Sequence, residues 1–270
     1  MAIGNLLFSH LLCIFAVKFV SGMEFSLFLI VALFSLAMMA AFVQRVCGFG
    51  FGIFIMTMLP YLMPSYGESV TLSGMLSATQ SVFILSRAYK YVVWKRMIPI
   101  LLTFLVVSFV AIQYVSTLAD NSLKILLGIM LIVMSLYFLF VSQHIQVRPS
   151  LPLQISMGSL SGVMGGFFGM QGPPAVLYFL ASEKDKEHYL AMAQIYFFIG
   201  NVAMTLFRAG NGLFTHEVRI SWIYAVAGVA AGTYLGKLVF ERISIETLRK
   251  IVYVYMAISG VIAIVGAVGK

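Results

Sequence analysis

The segment Gly165-Gly166-Phe167-Phe168-Gly169-Met170-Gln171-Gly172-Pro173-Pro174 is the part of this chain best suited to chemistry. Glycine permits positive φ and close backbone approach. Proline is suited to the first turn of a helix, where no intrahelical donor is needed. A half-helix opening at Gly172 and Pro173 would aim free N–H groups and a positive dipole end at whatever lies before it, which is an anion site. Gln171 adds a neutral donor beside Gly169 at the tip. The competing reading is close helix packing by small residues.

A second glycine-rich segment precedes it: Gln44-Arg45-Val46-Cys47-Gly48-Phe49-Gly50-Phe51-Gly52, with Thr57 and Pro60 following. Gln44 can donate two hydrogen bonds from its amide. Arg45 lies between two apolar runs, so it either extends to a polar interface or lines a cavity and pairs with an anion. Gln80 and Asn201 each fall in the middle of an apolar run, and Arg87 and Arg208 follow them at the same interval. That interval is two helical turns, so each amide shares a face with its arginine; the face either lines a pore with donors and positive charge, or ties helices together with the arginines ending them. The substrate-contacting candidates are therefore Gln44, Arg45, Gly48, Gly50, Gly52, Thr57, Gln80, Arg87, Gly169, Gln171, Gly172, Pro173, Asn201 and Arg208.

Other chemistries find no support. Glu24, Glu68, Asp120, Glu183, Asp185, Glu187, Glu217, Glu241 and Glu246 lie at segment ends or in loops, so no carboxylate proton relay is visible within an apolar run. The histidines His10, His144, His188 and His216 are scattered. No metal-ligand spacing and no nucleophile–base arrangement appears, so the sequence predicts no enzyme, no catalytic residue, no metal and no cofactor. Cys13 and Cys47 sit in apolar sequence and read as small buried residues. An intramembrane enzyme would require clustered His, Asp or Glu, and a scaffold would require a sizeable soluble domain or tail.

The elements that must position these residues follow from composition. The chain has 270 residues, of which 61% are hydrophobic and 10% charged, against about 25% charged in a soluble domain. So little charge cannot cover a water-facing surface, which predicts an all-α polytopic membrane protein with the lipid bilayer as its solvent. The net charge of +8 sits in short loops and reads as a topology signal, with no nucleic-acid module in view.

Apolar runs fall at about 24–44, 48–64, 69–86, 98–117, 123–142, 152–169, 173–182, 189–207, 220–239 and 249–268. A crossing helix needs roughly 20 residues, and most of these runs qualify, whether the first two runs of each repeat cross separately or pair as a hairpin, with the helices broken or re-entrant at the glycine-rich breaks. Residues 152–182 would make about 46 Å of helix at about 1.5 Å per residue, too long for one crossing and too short for two. A re-entrant or broken helix pair is expected there, shielded by protein or a watery cavity. Residues 1–23 carry His10 and Lys18 without the basic start of a signal peptide, and read as an interfacial helix or an extra span.

The glycine breaks, the amide–arginine pairs and the openings Ser122-Leu123-Lys124 and Thr247-Leu248-Arg249 recur in the two halves. The predicted organisation is a first repeat at 24–142, a linker at 143–151 and a second repeat at 152–270, the repeats inverted, as in many secondary transporters. Placing Arg45, Arg87, Lys90, Lys95, Arg96, Arg148, Lys184, Lys186, Lys237, Arg242, Arg249 and Lys250 on one side leaves Lys18, Lys124, Arg208, Arg219 and Lys270 on the other. The richer side is cytoplasmic, which puts the linker inside and the C-terminus outside. Formation of a homo-oligomer stays open.

Two five-segment halves, each opening on a glycine-rich stretch that leads to a proline-containing helix, resemble the sulfite exporter TauE/SafE family, also called the TSUP family of anion transporters. The resemblance runs from about Glu24 to Gly266 and is most specific at Gly165–Pro173. In the first half Phe49 and Phe51 stand between the glycines, and Pro60 follows at a distance. The resemblance implies a multi-pass protein of a bacterial inner membrane that moves a small anion such as sulfite or an organosulfonate.

Overall fold

The computed structural model describes residues 27–115, 117–141, 149–183, 186–239 and 245–268. The expected extra segment at 1–23 lies outside the described residues, as does the linker from 143 to 148. Every element among the described residues is helical. The order is α1 (Leu27–Cys47), α2 (Phe51–Ile55) with a 3-10 turn at Leu59–Tyr61, α3 (Tyr66–Ala88), a 3-10 turn at Tyr89–Tyr91, α4 (Trp94–Val115) and α5 (Asp120–Leu136), which runs on into a π-helical turn at Tyr137–Val141. The second half follows with α6 (Leu151–Phe168), α7 (Gly172–Ser182), α8 (Lys186–Gly210), α9 (His216–Val239) and α10 (Ile245–Val268).

The helices α1, α4, α8 and α9 are each long and apolar enough to cross a membrane. Many large apolar side chains are exposed along the helices, among them Val106, Phe140, Leu206 and Val265. Polar residues go inward instead. Ser69, Ser73, Ser77, Gln80 and Ser81 of α3 are all buried, and α3 packs against α2, α5, α8 and α9. A helix this polar is unsuited to lipid, where an unpaired polar group costs several kcal/mol, so neighbouring helices enclose it. Its start is fixed by Ser65, whose Oγ accepts from Glu68 N–H at 3.2 Å and donates to the Glu68 carboxylate at 2.8 Å, a form of capping box.

The expected helix pair at 152–182 is present as α6 and α7, joined at Gly169–Gln171 and packed together. The run 48–64 is likewise broken at its glycines, and no single helix spans it. It breaks into the five-residue α2, turns and a 3-10 turn. Gly48 and Gly50 take φ of +83° and +107°, and Pro60 lacks the N–H that a continuing helix would need. The helix ends of the two halves keep one register. The same offset separates Cys47 from Phe168, Phe51 from Gly172, Gln80 from Asn201 and Arg87 from Arg208. Packing exchanges in the same way: α1 lies on α9 and α6 on α4, while α3 pairs with α8 and α5 with α10.

Two glycine stripes let the outer pairs approach closely. On α9, a methyl group added at Gly228 or Gly232 would overlap the carbonyl oxygen of Phe34 or Met38 of α1. On α6, one added at Gly158 would lie 2.6 Å from the Ile100 carbonyl oxygen of α4, and one at Gly166 2.5 Å from Ala111 Cβ. Small residues at such crossings are how helices associate where lipid removes the hydrophobic drive. Gly232→Val is therefore expected to force α1 from α9 at a cost of about 2–3 kcal/mol. That appears as a clear drop in the melting temperature of the detergent-purified protein; an unchanged melting temperature would contradict the packing.

Candidate functional site

Both halves break at a left-handed glycine. The N–H of Gly48 bonds to Gln44 O at 2.8 Å to close α1, and Gly50 then reverses the chain into α2. The N–H of Gly169, with φ +68°, bonds to Gly165 O at 3.0 Å to close α6. Only glycine adopts this backbone without strain. The two breaks meet backbone to backbone, since a methyl group on Gly52 would overlap the Gly169 carbonyl oxygen.

A cavity of about 20 Å³ lies between them. One water needs about 10–15 Å³ on this scale, so the walls must part before a larger group can enter. The cavity is lined by Gln44, Gly50, Phe51, Gly52, Ile53, Ser77, Gly169, Met170, Gln171, Gly172, Pro173, Phe197 and Asn201. No charged side chain is among them. Of the candidates from sequence, Gln44, Gly50, Gly52, Gly169, Gln171, Gly172, Pro173 and Asn201 are brought together here.

Each polar lining group has a definite post. Gln44 accepts from the N–H of Phe51 at 3.3 Å and donates to Gln194 Oε1 at 3.5 Å, so it secures the start of α2. Asn201 donates to Ser77 Oγ at 2.9 Å. Gln171 donates weakly to Phe197 O at 3.4 Å, and its buried Oε1 has no partner. Its backbone carbonyl accepts from Ser161, whose Oγ in turn accepts from the Tyr196 hydroxyl at 2.8 Å. The backbone donors are unequally divided. Pro173 and Pro174 leave α7 with the Gly172 N–H at its first turn, whereas Gly52 and Ile53 both carry N–H groups without intrahelical acceptors. The first-half tip, which looked the poorer in sequence, is the richer in donors.

The remaining candidates stand apart from the cavity. Arg208 was expected to face it, but is fully buried against the end of α6. Its Nη2 donates to Gly165 O at 2.8 Å and Gly166 O at 3.1 Å, and its Nη1 to Val70 O at 3.5 Å. The Tyr66 hydroxyl takes the next carbonyl, Phe167 O, at 3.0 Å. The last carbonyls of a helix lack intrahelical donors and carry partial negative charge; in an apolar setting a cation is drawn to them, and this is why the guanidinium turns away from the cavity. Arg45 is partly buried, with its stem packed at Gly236 of α9. Arg87 lies in the last turn of α3, and its side chain is outside the described residues. Thr57 pairs with the Tyr255 hydroxyl at 2.7 Å. Gln80 donates to Ala41 O at 2.7 Å and ties α3 to α1. Gly48 lies against the Tyr189 ring.

Gln194 escaped the sequence reading. It accepts from Gln44 and from Ser81 Oγ at 3.2 Å, and donates to Gly48 O at 3.4 Å, so it holds the first break against α8. The signal was available: Gln194 precedes Asn201 by the same two turns that separate Asn201 from Arg208. Ser73 likewise precedes Gln80 by two turns on α3. Among the described residues no group of His, Cys, Asp and Glu could hold a metal ion.

Helices with apolar outer faces, surrounding a neutral, donor-lined cavity between two broken helices, define a polytopic membrane transporter. The chain belongs to the sulfite exporter TauE/SafE family, whose profile matches residues 33–262. It is 22% identical over 214 residues to the probable sulfite/organosulfonate exporter TauE of Cupriavidus necator strain H16, an alignment covering 78% of this chain and 84% of that protein. No solved structure matches it. The family's members are transporters rather than enzymes.

Proposed function

We propose that this protein exports a small sulfur-containing anion, sulfite or an organosulfonate such as sulfoacetate, across the cytoplasmic membrane by alternating access. The observation that carries the reading is the neutral cavity where the two glycine breaks touch. Amide side chains and helix-start N–H groups suit sulfonyl oxygens, and the absence of a lining charge keeps binding weak enough for release. The named relative is described as a sulfite/organosulfonate exporter, which supports this substrate class over other small organic acids.

In this reading residues 24–142 and 152–270 are inverted repeats, supported by the shared register and the exchanging packing. The basic loops and the linker 143–151 face the cytoplasm, and the C-terminus lies outside. An interior-negative potential then drives anion exit by about 2.3 kcal/mol per unit charge per 100 mV, so no coupling ion is required. The cavity of about 20 Å³ favours a carrier, since a channel needs a continuous open path.

Proteoliposomes loaded with sulfoacetate or sulfite test this. A carrier is expected to release labelled anion several-fold faster when the same anion is supplied on the opposite side. Ohmic conductance without that acceleration would instead make the protein a channel, and release no faster than from empty liposomes would refute the substrate class.

A further inference from the structure

The polar residues along the α3–α8 interface continue past the cavity. On α8, Gln194, Asn201 and Arg208 recur at two-turn intervals and share a face. The two helices run antiparallel: Ser81 bonds Gln194, Ser77 bonds Asn201, and Val70 O accepts from Arg208. Beyond Asn201 the interface is thin at Gly74. A methyl group there would lie 3.3 Å from Thr205 Oγ1, 3.6 Å from Arg208 Nη1 and 3.8 Å from Asn201 Oδ1. One glycine thus separates the cavity's Asn201 from the guanidinium.

Two polar atoms sealed from solvent at this point, Arg208 Nε and Thr205 Oγ1, have no partner, and Ser73 Oγ, one residue along α3 from Gly74, is a third. Arg208 and Ser73 are both almost wholly buried, and Ser73 Oγ lies 3.7 Å from where a methyl group on Gly169 would stand. Buried polar groups are paired in the great majority of cases, and a cluster of exceptions calls for an explanation. Among the described residues no carboxylate pairs with Arg208; its protein acceptors are all carbonyl oxygens or the Met204 sulfur. A guanidinium carries five N–H donors. Capping α6 occupies Nη2, while Nε–H is unused and Nη1 is held only at 3.5 Å. Arg208 can therefore hold the end of α6 and still offer an edge to an oxoanion. A Lys point charge would cap as well; the fork geometry of Arg matches paired oxygens.

We propose that Arg208, Thr205 and Ser73 form a second oxoanion station, one to two helical turns beyond the cavity along the α3–α8 interface, which the transported anion occupies in passing between the cavity and the Arg208 end of the bundle. This rests on the anion-transport reading above. The sulfonyl group leaves neutral donors at Ser77 and Asn201 and is received by a cation and two hydroxyls. The step past Gly74 is short because no side chain stands there.

Thr205→Val keeps the shape of the side chain and removes its hydroxyl, Thr205→Ser restores the hydroxyl, and Arg208→Lys keeps the charge without the fork. Each is purified, checked for wild-type melting behaviour, titrated with sulfoacetate by thermal shift, and assayed for sulfoacetate efflux from proteoliposomes. Equilibrium binding, set by the cavity, is expected to stay within twofold in Thr205→Val, while efflux falls about tenfold and recovers in Thr205→Ser. A folded Arg208→Lys protein is expected to behave as Thr205→Val does. Wild-type efflux in folded Thr205→Val overturns the station. A fall in binding equal to the fall in efflux overturns it too, because Thr205 would then belong to a single site with the cavity. If the wild-type protein neither binds nor moves sulfoacetate, sulfite or methanesulfonate, the transport reading itself fails, and that outcome is distinct because it appears before any variant is made.

Discussion

Replacing Gly52 with alanine is expected to abolish transport and to destabilise the protein by about 3 kcal/mol. The added methyl group would overlap the carbonyl oxygen of Gly169. Both partners are backbone, so no side chain can rotate away. Gly169 is also pinned, with φ at +68° and its N–H bonded to Gly165 O. The carbonyls just before it are in turn held by Arg208 and Tyr66. The overlap can be relieved only by parting the two breaks, which dismantles the cavity between them. Gly172→Ala is the control. There a methyl group would meet Phe197 at 3.6 Å and Phe49 Cβ at 3.8 Å, which is ordinary contact, so the melting temperature should stay near wild type. Should Gly52→Ala match Gly172→Ala in melting temperature and the wild type in efflux, the breaks do not need to touch for transport to proceed.

The part of the site that sequence revealed is the part governed by local backbone chemistry. The α6–α7 break was legible because left-handed glycine and first-turn proline leave a mark independent of tertiary context. The α2 region was legible as a glycine-rich break, but not in its detail. Hydropathy places 48–64 in one apolar run, and the phenylalanines between its glycines suggested a departure from the second-half pattern. Phe49 and Phe51 are in fact both buried in the core, while Gly48 and Gly50 turn the backbone around them.

Arg208 shows a different limit. Its spacing from Asn201 correctly put the two on one face of α8, but which partner the guanidinium finds depends on where α6 ends in space. That end is created by a glycine distant in the chain. Gln194 was missed although the two-turn spacing reaches it, because an amide early in α8 carries no local sign of opposing Gln44 and Gly48. The separation of roles is itself informative. Neutral amides line the cavity and a buried cation stands beyond them, so attraction and release need not depend on the same residue.

The sign of the substrate's charge can be read from a single position. Gln171 lines the cavity, is almost wholly buried, and makes only a weak bond from its amide nitrogen to Phe197 O at 3.4 Å. Gln171→Ala removes one neutral donor, a loss of about 1 kcal/mol or roughly fivefold in affinity. Gln171→Glu keeps the shape and places a carboxylate at the wall. An anion held about 4 Å from that carboxylate is repelled by about 4 kcal/mol at an effective dielectric constant of about 20. That corresponds to roughly a thousandfold weaker binding. Because the first substitution controls for the lost donor, the excess in the second reports charge alone. Titrating wild type and both variants with sulfoacetate, followed by thermal shift, should therefore give a small loss for Gln171→Ala and no measurable saturation for Gln171→Glu. Equal losses in the two variants would mean that no anion is held at this wall. Any transported anion would then have to reach Arg208 by a route that avoids the glycine breaks.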